Sequence, residues 1–392
     1  MVSVLTKLFI KNCDDTENPT VRQAYGILCG IVGICFNILL FAGKFAAGAI
    51  SRSIAITADA FNNLSDAGSS IITLIGFKMA GQKPDPDHPF GHGRIEYISG
   101  LLVAVIILIM AFELIKSSFI KIIHPEESVY SPLIVVILIV SILVKFYMSF
   151  YNRKIGRKIN SAAMLATATD SLSDTLATSV VLVATLVSHF TGAKIDGYGG
   201  ILVGLFICYA GIQAAKDTIS PLLGQAPDPD FVQQIYDLVL SQEGIIGIHD
   251  LIVHNYGPGR VLISLHAEVP AEDDVLAMHD RIDLIEHKLQ NTLHCSAVIH
   301  MDPVCVGDEE TIRLKELVSG VIAEIDSYIS MHDFRIVKGT THTNIIFDVV
   351  VPFRFKMTDE ELISTITAKI QALDASYFAV IEVDKQTAAS LR

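Results

Sequence analysis

The sequence predicts a membrane α-helical domain of six transmembrane helices, followed by a cytoplasmic α+β domain of ferredoxin-like type, duplicated in tandem. Three observations predict it. First, 51% of the 392 residues are hydrophobic and the mean hydropathy is +0.50, above what soluble globular chains ordinarily reach. That excess sits in the first 224 residues, in runs long enough to cross a bilayer core, which takes about 20 helical residues. Second, charge divides at the same place: residues 1–224 carry a net +2 and residues 225–392 a net −15. Third, the polar part contains an internal repeat.

The apolar runs place six spans at roughly 23–50, 53–80, 95–120, 130–152, 160–190 and 196–222. The partition is then a cytoplasmic segment 1–22, a membrane domain 23–222, a cytoplasmic α+β domain 225–305 and a second, degenerate repeat 306–392. Basic residues set the topology. Lys7, Lys11 and Arg22 precede span 1, Lys78, Lys83 and Arg94 flank the loop after span 2, and Arg153, Lys154, Arg157 and Lys158 follow span 4. The other side holds Arg52, Lys116, Lys121 and Lys194. The positive-inside rule puts both termini of a multi-pass cell-membrane (plasma or inner membrane) protein in the cytoplasm. No clean signal peptide is seen, so span 1 is expected to stay uncleaved. An acidic tail argues against nucleic acid as a partner. The six cysteines form no CxxC pair, which excludes a Cys-type zinc site. With no nucleophile–base set and no phosphate loop, neither an enzyme nor a resident cofactor is expected.

HDLIVHNYGPGRVLISLHAEVP begins at His249 and HDFRIVKGTTHTNIIFDVVVP at His332; AVIHMDP (297–303) parallels AVIEVDK (379–385). Each unit reads strand, strand, helix, strand. LAMHDRIDLIEHKL and DEELISTITAKIQAL supply the two helices.

Spans 2 and 5 are the least apolar. Asn62 and Asp66 in span 2, and Asp170 and Asp174 in span 5, are spaced i, i+4 and share one helix face each. Two such faces in register surround one point with four oxygen ligands. Interhelical hydrogen bonding explains an asparagine well, but it explains three intramembrane aspartates badly, since each charge there costs about 3 kcal/mol on insertion scales. No Lys, Arg or His lies in these two segments to pair with them, so the carboxylates call for a cation.

On these motifs the chain resembles the cation diffusion facilitator family over residues 20–305. It has paired polar residues in spans 2 and 5, the loop DPDHPFGHGRIEY (85–97) and a His-bearing tail. The resemblance implies a homodimer in the lipid bilayer that exchanges divalent metal ions for protons by alternating access. It implies a transport site at Asn62, Asp66, Asp170 and Asp174, a loop site at Asp85, His88 and His92, and a tail site at His249, His266, His279, His300 and Asp302. On their own terms, His88 and His92 are spaced for a helical face, and His300 and Asp302 share a strand face. Seven of the 13 histidines lie between 249 and 300. Exposed or capping histidines and acids are the plain alternative for both sets.

Two departures matter. Zinc-carrying members resemble one another in having a histidine and three aspartates in the membrane; here Asp170 holds the histidine position and Asn62 the first. Oxygen donors suit manganese or magnesium, and imidazole suits zinc. The expectation is therefore Mn2+/H+ antiport, with a carrier of zinc, iron or cobalt as the nearest alternative and a metal-sensing receptor or channel as the alternative of another class. The other departure is residues 306–392. There Asp348, Glu382 and Asp384 fall where the first unit has His266, His300 and Asp302. Either they form a carboxylate-rich second metal site, or the unit serves packing or dimerisation and has lost binding; the second reading is preferred.

Overall fold

The computed structural model describes residues 2–16, 18–51, 54–124, 131–191, 195–352 and 354–385. Arg52 and Lys194 of the topology argument lie outside them. The chain divides into two compact units, Met1–Gln225 with Asn255–Arg260, and Ala226–His254 with Val261–Arg392.

The first unit is helical. A short α1 (Val2–Phe9) precedes six long helices: α2 (Pro19–Ser51), α3 (Ile54–Ala80), α4 (Ile95–Ile123), α5 (Pro132–Lys158), α6 (Ala162–Thr191) and α7 (Asp196–Leu223). Five of them, α2, α4, α5, α6 and α7, are long and apolar enough to cross a membrane. The second of the six expected spans, α3, is long enough but falls short in apolarity. Its Asn62, Asn63, Asp66, Ser69, Ser70 and Thr73 lower the average, and all of these but Asn62 are buried among other helices. That is where a spanning helix must put polar groups that lipid cannot satisfy.

Helix α2 packs on α3 and α5, α4 on α7, α6 and α3, and α5 on α6. Small residues allow the approach. A Cβ at Gly26 would sit 2.2 Å from the Phe77 ring, and one at Gly204 would sit 2.5 Å from Ile115. Buried charge also ties helices together. Arg22 at the start of α2 forms a two-pronged ion pair with fully buried Glu96 of α4 (Nη2–Oε1 2.7 Å). Its Nε donates to the Ile159 carbonyl (2.7 Å), and Ser161 donates to Glu96 (2.6 Å). Arg22, counted from sequence among the basic residues that precede span 1, joins α2, α4 and the α5–α6 turn.

The second unit contains two three-stranded sheets. The first comprises α8 (Pro229–Leu240), β1 (Gly247–Asn255), β2 (Val261–Pro270), α9 (Val275–Leu293) and β3 (Cys295–Val304), in strand order β1-β2-β3 with β2 and β3 parallel. The second comprises α10 (Glu309–Ile325), β4 (Ser330–Lys338), β5 (Thr343–Val351), α11 (Asp359–Leu373) and β6 (Tyr377–Lys385), in order β4-β5-β6 with β5 and β6 parallel. Each set therefore has a helix before the predicted strand-strand-helix-strand pattern. Both added helices were announced by an N-cap aspartate, Asp228 for α8 and Asp308 for α10. Alternation in β2 and β5 turns Ile263, Leu265 and Ala267, and Ile345, Phe347 and Val349, into two separate cores closed by Ile282, Ile285 and Leu289 and by Leu362, Ile366 and Ile370. The opposite face of each sheet carries the histidines and carboxylates, His266, His300 and Asp302 in the first and Asp348, Glu382 and Asp384 in the second, together with exposed apolar residues such as Val298 and Val380. Asp250 (φ 52°) and Asp333 (φ 49°), at matching positions of the two units, both take the left-handed conformation that aspartate tolerates better than most residues.

Candidate metal sites

The membrane carboxylates are assembled by α3 and α6. Along α6 the hydroxyls of Ser171, Ser173, Thr175 and Ser179 each donate to the carbonyl four residues back (2.7–3.1 Å), so that polar run satisfies itself. Thr73 of α3 meets Thr167 of α6 at 2.8 Å, and the Ser69 hydroxyl bonds Asp170. Asp66 and Asp170 are buried, and the Asp174 side chain is 14% exposed.

The expectation that these aspartates are uncompensated is corrected by the structure. Lys145 of α5, buried in the apolar run of the fourth span, donates to Asp66 Oδ2 at 2.7 Å and to Asp174 Oδ2 at 2.6 Å. Sequence reading searched only spans 2 and 5 for a partner. The signal that would have found it was a lysine in the middle of an otherwise apolar span, which lipid does not tolerate unpaired. Asn62 is also placed otherwise than expected: it is exposed, and its neighbour Asn63 is the buried asparagine.

The loop residues do come together, though by another route. Residues 83–94 form turns, and no helix carries His88 and His92. Asp85 and His88 exchange backbone hydrogen bonds, and Gly91 (φ 83°) reverses the chain. Asp85 Oδ1 then lies 3.3 Å from His88 Nδ1, and Oδ2 lies 3.2 Å from His92 Nε2. The backbone N–H of His88 holds the Asp85 carboxyl below its usual range.

In the tail, β1, β2 and β3 bring His249, His266 and Asp302 together. His266 Nδ1 lies 2.9 Å from Asp302 Oδ2. His249 Nε2 lies 3.1 Å from the same oxygen, but it is buried and makes no aligned hydrogen bond. His300 Nε2 stands 3.2 Å from Asp302 Oδ1 with its ring 4.7 Å from that of His266, and its side chain is 66% exposed. His279 is exposed on α9 and is not brought to this group within the chain.

A further cluster joins two of the carboxylates weighed from sequence as a second metal site, Asp348 and Asp384, to His332, which was not part of that reading. His332 of β4, Asp348 of β5 and Asp384 of β6 present ligand atoms within 4.8 Å of one another, as do His249, Asp250 and His332. Burial, and then the charges of Asp333 and Asp384, push the Asp348 carboxyl up to about 6; burial followed by Asp250 raises Asp384. Among the described residues, the ion pairs of Asp250, Asp302, Asp348 and Asp384 all go to histidines.

Comparison with known proteins agrees with this division of labour. Residues 30–223 match the model of the cation efflux transmembrane domain, and residues 227–304 match that of the cation efflux protein cytoplasmic domain. An uncharacterised transporter of Methanocaldococcus jannaschii is 34% identical over 275 residues, 70% of this chain and 97% of that protein. The cation-efflux pumps FieF of Shigella boydii and Escherichia coli are each 26% identical over 297 residues, 75% of this chain and 99% of theirs. The second match ends at 304, so β4, β5 and β6 lie beyond it. With its apolar helices, its membrane carboxylates and its His-bearing α+β tail, the chain belongs to the cation diffusion facilitator family and is a multi-pass transporter that carries divalent metal cations out.

Proposed function

We propose that this transporter exchanges Mn2+ for protons by alternating access, as a homodimer in the cell membrane with both termini in the cytoplasm. The observation that carries the reading is the ammonium of Lys145 between Asp66 and Asp174. The carboxylates of Asp66, Asp170 and Asp174 gather there, Lys145 pairs with two of them, and buried Lys44 also acts on Asp66, so the acidic groups outnumber the basic ones. A divalent cation or protons offset the excess, which keeps down the cost of burying charge.

In this cycle the incoming ion displaces Lys145 Nζ from Asp66 Oδ2 and Asp174 Oδ2. Protons arriving from the far side compete for the same oxygens and release the ion. Asp170 contributes a third carboxylate, and the donor set holds oxygen without imidazole, which favours manganese over zinc. Asn62, exposed in this conformation, and Asn63, buried beside Asp66, are the two candidates for an amide ligand.

The tail residues fit a resident divalent metal. Buried His249 Nε2 is without an aligned hydrogen bond, and His266 and Asp302 face it. His249, His266 and Asp302 would hold the ion, with His300 at the rim. When bound, the ion supplies a positive charge that ties β1 to β2 and β3. Asp85, His88 and His92 would hold a second such ion in the loop. The partition proposed is a segment 1–22, a transport domain 23–222, a metal-binding domain 225–305 and a duplicated unit 306–392. The duplication is supported by matching strand order and matching left-handed aspartates.

Proteoliposomes loaded at controlled pH test the function by competition among manganese, zinc, iron, cobalt and magnesium. Asp66→Asn is expected to abolish manganese flux, and Asp170→His to shift preference toward zinc. Full flux in the first variant, or zinc preferred by the parent chain, would overturn site or metal respectively.

A further inference from the structure

Across the second sheet, β4 and β5 pair His332 with Asp348, and β5 and β6 pair Asp348 with Glu382 and Val350 with Asp384. Across the first, β2 and β3 pair His266 with His300 and Glu268 with Asp302. The second sheet thus repeats the positions of the first with carboxylates in place of two imidazoles. The two polar rows are contiguous within this one chain. The rings of His249 and His332 stack at 4.8 Å and 21°.

Asp250 stands between them. Its Oδ2 lies 3.2 Å from His249 Nδ1 and 3.9 Å from His266 Nδ1, while its Oδ1 lies 3.8 Å from His332 Nε2. On the far side, His332 Nε2 is 3.6 Å from Asp384 Oδ2 and Nδ1 is 3.9 Å from Asp348 Oδ2. The His249–Asp250 contact is a hydrogen bond, but the other separations, 3.6 to 3.9 Å, are too long for one and suit atoms sharing a central ion bound at about 2.1 Å from each. Like His249 Nε2, His332 Nδ1 is buried without a hydrogen-bond partner. Buried nitrogens of this kind are uncommon, because leaving one unsatisfied costs about 1–3 kcal/mol.

We propose that His332, Asp348 and Asp384 form a second divalent-metal site in the tail, and that Asp250 bridges it to the ion held by His249, His266 and Asp302. One imidazole with two or three carboxylates makes an oxygen-rich set that takes Mn2+ or Fe2+ readily and also accepts Zn2+. The bridge converts the two sheets of one chain into a metal-closed pair. Ion occupancy then fixes one unit against the other without a contribution from a second subunit. The tail would read metal inside each chain, which gives it a sensing role beside the transport reading; the inference does not depend on Mn2+ being the transported ion.

The test uses full-length protein in detergent, stripped with chelator and titrated with Mn2+ alone. Bound ions per chain are counted by equilibrium dialysis, and electron paramagnetic resonance reports coupling between neighbouring Mn2+ ions. The double substitution Asp348→Asn/Asp384→Asn is expected to lose one ion per chain, and His266→Asn a different one. Asp250→Asn is expected to abolish the coupled signal. An unchanged ion count in the double variant overturns the second site, and an uncoupled spectrum in the parent chain overturns the bridge. Should the double variant fail to yield monodisperse protein, Asp384→Asn carries the test, since its side chain is 40% exposed on an edge strand. Asp66→Asn separates this inference from the transport reading. It is expected to stop flux while both tail ions remain.

Discussion

Replacing Lys145 by methionine keeps the length and apolar stem of the side chain and deletes its charge. In the ion-free site that charge is held at 2.7 and 2.6 Å by two carboxylates. At the effective dielectric near 20 that suits protein sites, one unit-charge pair at about 4 Å is worth about 4 kcal/mol. Two such pairs stand against a desolvation penalty of several kcal/mol per ion, so the net cost of deleting one partner of a buried pair is about 3–5 kcal/mol. The ion-bound state behaves differently, since a divalent cation has taken over the carboxylates and the ammonium repels it. The variant therefore loses stability chiefly when empty. The same difference appears as tighter ion binding, by about 100-fold at the lower end of that range. Transport is expected to slow, because an ion that no longer meets a competing ammonium leaves reluctantly.

The assay is thermal unfolding of full-length protein in detergent across a Mn2+ titration, with the tail ligands His249 and His332 and the loop ligands His88 and His92 replaced so that only membrane binding is read. Lys145→Met is expected to melt lower than the parent without metal and to converge on it at saturation. An unchanged affinity with unchanged apo stability would refute the view that Lys145 occupies the seat of the ion. A lower affinity would show that it holds the site together instead.

Two other outcomes follow from charges outside that seat. Arg22→Ala strands fully buried Glu96 and is expected to cost about 3–5 kcal/mol, whereas Arg22→Met with Glu96→Leu removes both charges and is expected to recover most of that; melting of the two proteins checks it. Asp348 gives a pH dependence. Its carboxyl sits up at about 6 in the folded tail against an ordinary 3.8, so between these values the folded chain holds a proton that the unfolded chain has lost. Stability of the metal-free tail should therefore fall as pH rises from about 4 to about 6. After discounting for partial exposure the fall is on the order of 1 kcal/mol. Hydrogen exchange of the β5 amides at pH 4.5 and 6.5, corrected for intrinsic rates, should show it in the parent and not in Asp348→Asn.

Much of this molecule was readable in its sequence because the signals were local. Apolar length marked the helices, and i, i+4 spacing placed Asp66, Asp170 and Asp174. The tandem HD motifs announced both sheets. What escaped reading was tertiary. Lys145 lies 79 residues from Asp66, and only the packing of both α5 and α3 on α6 reveals that they are partners. The loop histidines were assigned to a helix because three- and four-residue spacing fits a helix and a pair of turns equally well. Asn62 and Asn63 are adjacent, and the facing of α3 alone decides which is buried. His332 was passed over since its role depends on how one sheet meets the other, which no periodicity within a strand encodes.

The membrane and tail sites solve the same electrostatic problem in different solvents. Three carboxylates in a bilayer have no water to soften their repulsion, so the chain supplies its own cation, Lys145, and any metal must displace it. In the tail, the carboxylates of Asp250, Asp302, Asp348 and Asp384 face imidazoles that need carry no charge, and among the described residues no lysine or arginine is paired with them. An entering ion there meets no built-in competitor. On the proposed reading the tail should therefore hold its ions more tightly than the transport site holds its cargo, which is the order that a sensor and a carrier require. If both sites filled at the same free Mn2+ concentration, internal competition by Lys145 would not be what separates them.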